Sequence, residues 1–202
     1  MRLVPFFTLL CVALVLRPVA PTIAADRPAA PAGSASAPST EVERDPTDEL
    51  LKVLAANPTP EVAAATRSRL AALWNRSGSD AADLLAMRAS RLIDVGEGRA
   101  AFGVLDAAVA LAPTWADGRR RRAALHLSRG ETDAARGDLE AALRAEPRHF
   151  PSMSLLAAVM EIRGDRRSAL DWLRRAAALD PAAQVLGERL KALVLEVEGR
   201  DI

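Results

Sequence analysis

Cysteine is almost missing from this 202-residue chain, where Cys11 stands alone. A single cysteine excludes an internal disulfide framework and any multi-thiolate metal centre. Tyrosine is absent, and the aromatics amount to four Phe and three Trp. A core built on large rings is therefore excluded. No sustained alternation of Val, Ile and Thr with polar residues occurs, which argues against a β-sheet domain. Charge of one sign is not in excess either: 27 Lys and Arg face 26 Asp and Glu. General nucleic-acid binding needs a basic surplus that releases counterions from phosphates, and this chain lacks one. The longest apolar run, Leu3 to Leu16, is too short to cross a bilayer comfortably.

What is present is alanine in quantity, within a chain that is 50% hydrophobic. Alanine is the best helix former and allows helices to approach closely. The opening stretch pairs one cation, Arg2, with that apolar run and then small residues at Thr22-Ile23-Ala24-Ala25. This is the pattern of an export signal over residues 1–25, which places the protein in the periplasm or outside the cell. Pro5 and Arg17 depart from it, so an uncleaved membrane anchor is the alternative. Cys11 lies within the leader, after Leu10 rather than a small residue, and reads as filler. Cleavage removes two arginines, Arg2 and Arg17, and no acid, taking the formal charge from +1 to −1. Residues 26–47, rich in Pro, Ala and Ser, read as a flexible tether. Helical patterning starts near Asp48, with expected helices at 48–56 and 61–76.

From Ser79 onward one period dominates. Gly96, Gly130 and Gly164 are 34 residues apart, as are Pro113, Pro147 and Pro181. Ala89, Ala123 and Ala157 follow the same interval, as do Ala101, Ala135 and Ala169. So do Leu105, Leu139 and Leu173, and Ala108, Ala142 and Ala176. Each glycine suits the left-handed position that ends a helix. Each proline stops the next helix and presets the start of another. The Ala-x-x-x-Leu-x-x-Ala pattern is an apolar stripe at helical spacing. A helix-turn-helix unit recurring in this way resembles the tetratricopeptide repeat family. The third unit matches best, with Met153, Leu156, Ala157 and Met160, then Gly164-Asp165, then the Ala169 stripe, then Leu179-Asp180-Pro181. The stretch AEPRHF, 145–150, resembles small exported bacterial members. The large slots of the first helices hold Leu, Met, Arg or His instead of aromatics.

The resemblance implies an all-α, right-handed α-solenoid with repeats at 82–115, 116–149 and 150–181. A helical cap or degenerate repeat is expected at 48–81, and a capping helix and tail at 182–202, with Leu186, Leu190, Leu193 and Val197 as its inner stripe.

Four consecutive arginines, Arg119 to Arg122, begin the middle repeat. Successive helical residues turn by about 100°, so they cannot share a face. Arg119 and Arg122 fall in large apolar slots, where their stems cover neighbouring helices and their heads seek water or a carboxylate. Arg120 and Arg121 fall where first helices line a groove, with Met87 and Ser90 on one side and Ser154 and Leu155 on the other. One reading gives that groove a partner segment carrying an acidic group, which arginine holds in two-pronged fashion. The other makes all four arginines surface charges paired with Asp117, Glu146 or neighbouring acids. Trp74 and Trp115 are candidate partner anchors if partly exposed. His126 reads as a packed core histidine and His149 as the start of a helix. No nucleophile turn, phosphate loop or metal-ligand spacing is evident, so no catalytic residue, metal or cofactor is assigned. The expected function is a non-enzymatic scaffold that binds another envelope protein or peptide and no nucleic acid. A membrane-tethered assembly factor is the alternative if the leader stays on. A small periplasmic hydrolase or metal-dependent enzyme is the rival from another class.

Overall fold

The computed structural model describes residues 45–199. The leader, Cys11 and nearly all of the expected tether lie outside them. Nine helices and no strand occur among the described residues. They are α1 (Pro46–Ala55), α2 (Pro60–Trp74), α3 (Asp80–Asp94), α4 (Gly98–Leu111), α5 (Ala116–Ser128), α6 (Thr132–Ala145), α7 (Phe150–Ile162), α8 (Arg166–Leu179) and α9 (Gln184–Glu198).

The periodic residues do what their chemistry dictates. Gly96, Gly130 and Gly164 take φ of +79°, +75° and +80° after α3, α5 and α7. A side chain would be strained there. Helices α4, α6 and α8 end two residues before Pro113, Pro147 and Pro181. Their stripes are buried: Ala101, Ala135 and Ala169 are fully enclosed, and Leu105, Leu139 and Leu173 nearly so. Ala89, Ala123 and Ala157 complete the close contact from the first helices. Thus α3 pairs with α4, α5 with α6 and α7 with α8, and α9 packs on α8 through Leu186, Leu193 and Val194.

The first helical pair behaves differently from expectation. Helix α1 starts at Pro46, inside the expected tether, because Asp45 caps it by accepting from the Thr47 amide at 2.9 Å. More importantly, α1 and α2 do not complete the array ahead of α3 as a cap would. Leu51, Leu54, Ala63 and Leu70 join one core with Phe150, Met153 and Leu170 of α7 and α8, far along the chain. Helix α2 thereby passes the turns that follow α4, α6 and α8. Its Trp74 carbonyl accepts from Trp115 Nε1 at 2.8 Å, and its Trp74 ring lies edge-on to His149 at 4.6 Å. Its Arg67 forms a two-pronged pair with Asp180 at 2.6 and 2.9 Å. Arg148 extends this latch to Asp45 and Asp48 beside α1.

Candidate partner-binding groove

The arginine run is distributed as helical geometry requires. Arg122 grips Asp138 with two nitrogens, at 2.7 and 2.6 Å, and reaches Asp106 at 2.6 Å. Arg119 donates to the Pro113 carbonyl at 2.7 Å and meets Asp138 at 3.4 Å. These two stems fill the large slots and their heads tie α5 to α6. Arg120 and Arg121 turn the other way and share Asp117, at 2.7 and 2.6 Å. Burial pushes the Asp117 carboxyl up, but the two guanidiniums outweigh it and hold it below the ordinary range.

Arg121 is fully engaged. It donates to Asn75 Oδ1, contacts Ser90 Oγ at 3.4 Å and lies over the Trp115 ring. Arg120 spends only Nε on Asp117; among the described residues its two η nitrogens have no partner. Arg120 lines a cavity of about 460 Å³ whose walls also include Trp74, Asn75, Asp117, His149 and Phe150. A second cavity of about 460 Å³ adjoins it through Asn75 and Arg121, and includes Met87, Ser90 and Arg91. The structure therefore brings Arg120, Arg121, Met87 and Ser90 together. Ser154 and Leu155 line neither cavity; they lie on α7, where Ser154 Oγ accepts from Arg189 of α9 at 3.3 Å.

Trp115 requires a correction as a candidate anchor. It is 4% exposed, in the core of α3, α4 and α5. Gly118 lets it sit there, since a Cβ at that position would come within 2.0 Å of the ring. Trp74 is half-buried and lines the first cavity. His149 is completely buried, with Nδ1 2.7 Å from Ser152 Oγ and Nε2 unpartnered, 3.8 Å from Asp117. His126 is bound to Glu131 at 2.6 Å and lies edge-on to Phe102.

Sequence reasoning misses Asn75, Arg76 and Arg67, because it places their helix at one end of the array. It also misses Arg91, which stands one helical turn after Met87. Among the described residues no group of three His, Cys, Asp or Glu is placed to hold a metal ion, and no helix is long and apolar enough to cross a membrane.

No protein-family model matches the chain. A TPR repeat-containing protein of Rhizobium etli is 31% identical over 152 residues, covering 75% of this chain and 74% of that protein. The chain belongs to the tetratricopeptide repeat family. Solved tetratricopeptide repeat structures share its fold. The first such domain of Spaghetti (RPAP3), bound to an HSP90 peptide, has a TM-score of 0.57 at 15% identity, over 59% of this chain and 95% of that one. The Yersinia enterocolitica type III secretion chaperone SycD, in complex with a peptide of the translocator YopD, has a TM-score of 0.55 at 18% identity, over 59% and 94%. The Sgt2 domain of Aspergillus fumigatus gives 0.55 at 18% identity, over 59% and 81%.

Proposed function

We propose that this tetratricopeptide repeat protein is a non-enzymatic interaction scaffold of the bacterial cell envelope, holding a segment of a partner protein along the face of α3, α5 and α7. The observation that carries the reading is Arg120, which lines a cavity walled by Trp74 and Phe150 and whose η nitrogens have no partner among the described residues. Aromatic walls offer apolar contact, and an unspent guanidinium adds orientation. Two proteins of the same fold were solved with a peptide bound, which supports peptide capture as a use of this fold. The envelope location rests on the leader pattern of residues 1–25.

A photo-crosslinker placed at Leu155 in cells tests the groove. Partner capture should fall sharply in Arg120→Glu, while helicity is kept. Capture that is indifferent to Arg120 would defeat the reading. The mass of the mature N-terminus tests export: a start near Asp26 supports a free periplasmic protein, and an intact Met1 end supports a membrane-tethered assembly factor. Metal analysis and a hydrolase screen on the purified chain test the enzymatic rival, and both should be blank.

A further inference from the structure

Two cavities that share a wall need not have the same charge as the protein that contains them. Here the whole chain is nearly neutral, with 27 cations against 26 anions. Around the two cavities the balance differs. Arg67, Arg120 and Arg121 line the first and Arg76, Arg91 and again Arg121 the second, while the lining carboxylates are Asp117 and Asp83. Arg67 is matched by Asp180 outside the lining. His149 adds no charge near neutrality, since burial holds its pKa at about 4. One positive charge is left over on each side. In the first cavity it sits at Arg120, whose η nitrogens are unspent. In the second it sits at Arg91, which is exposed and has no ion-pair partner among the described residues.

Each surplus charge has apolar surface beside it, Trp74 and Phe150 in the first cavity and Met87 and Ala86 in the second. Between them stands a fixed bridge: Asn75 holds Arg121, and Arg121 holds Asp117. We propose that the two cavities form one composite site for an acidic stretch of a partner polypeptide, one carboxylate meeting Arg120 and another meeting Arg91, each with an apolar neighbour. This deepens the scaffold reading and rests on it. The chemistry favours separated single charges over a dense anion. A phosphate would concentrate its charge in one cavity against the lining Asp117 or Asp83, whereas two side-chain carboxylates divide it. The site is composite because Trp74, Asn75 and Arg76 come from the end of α2 and the linker after it, so it exists only while the α1–α2 pair is latched.

The test is selection of a displayed random peptide library on the purified full-length chain, followed by anisotropy titration of a fluorescein-labelled selected peptide. Enrichment of Asp and Glu is expected. Exchanging both acids of that peptide for Gln and Asn should weaken binding at least about tenfold per carboxylate lost. Raised salt should weaken it too. Arg91→Ala and Arg120→Ala should each lower affinity by about the same factor with unchanged circular dichroism. Neither should unfold the chain, because Arg91 is unpaired and Asp117 keeps Arg121. Arg167→Ala, an exposed arginine on α8, should bind as wild type. Enriched peptides without acid preference, whose binding Leu155→Asp abolishes, would overturn the composite site and leave the groove reading standing. An acid preference untouched by Arg91→Ala would overturn the placement. No enrichment at all would overturn both.

Discussion

A buried histidine with one nitrogen unpartnered has an unequal relation to its proton in the two states of the chain. His149 is enclosed by Trp74 of α2, Asp117 and Arg120 of α5, Glu146 in the preceding turn and Ser152 of its own helix. Burial pushes its pKa from 6.5 down to about 4; Asp117 and Glu146 oppose that fall and Arg120 adds to it. The folded state thus holds His149 neutral where the unfolded state would protonate it. Its contribution is fully present above about pH 6.5 and is lost as pH falls towards 4. The loss at the acid end is roughly 3 kcal/mol, because each tenfold change in proton affinity is worth about 1.4 kcal/mol. Asp117, Glu146 and Asp45, all held below their ordinary values, add to the loss only from the acid edge of that window, as pH falls past the ordinary carboxylate range. Urea unfolding across pH 4.5 to 7 should therefore show a slope that His149→Phe flattens. The variant should also carry a pH-independent penalty of about 1 kcal/mol for the stranded Ser152 hydroxyl. Equal slopes in both proteins would remove His149 as the cause.

Helix α2 depends on the rest of the chain more than on itself. Its inward residues are Ala63, Thr66 and Leu70, one of them polar and one a methyl group. Such a face buries little area, so the charged latch matters. Asp180 is 1% exposed and Arg67 about one-third exposed. Removing Arg67 strands a buried carboxylate, whereas Asp180→Asn leaves a guanidinium that can turn to water. Arg67→Ala should thus cost roughly 2–3 kcal/mol, at the low end for a buried pair because Arg67 is partly solvated. Asp180→Asn should cost less. Amide exchange over 60–74 should accelerate more in the first variant than in the second, and the reverse order would contradict the latch. The location of α2 is illegible in the sequence for the same reason. Spacing shows that Ala63, Thr66 and Leu70 share a face, but not what covers it. Arg67 and Asp180 are 113 residues apart, and no local pattern links them. The arginine run is half legible: helical rotation separates Arg119 and Arg122 from Arg120 and Arg121, and spacing of three and four residues offers Asp117 to the latter two, yet nothing local points to Asp138, 16 residues beyond Arg122.

At the scale of the molecule, repetition is what makes the three central helix pairs readable. The same Ala, Leu, Gly and Pro recur at one interval because each pair solves the same packing problem against the next. The α1–α2 pair breaks that rule, and it couples parts of the array that a plain solenoid keeps apart. In a plain array a terminal pair supports only its neighbour, so losing 45–76 would loosen α3 and α4. Here the pair shares its core with α7, α8 and α9. Deleting it uncovers Phe150, Met153 and Leu170 and removes the partners that Leu51, Leu54 and Leu70 provide. Each buried leucine is worth roughly 1.5–3 kcal/mol. The truncated chain should therefore unfold at clearly lower urea, by an amount on the order of 5 kcal/mol. Its amide exchange should rise most over 150–179 and least over 80–111. Protection lost first in α3 and α4 would mean that the pair caps the array after all, and would take the composite acidic site with it, since Trp74 and Asn75 would then stand elsewhere.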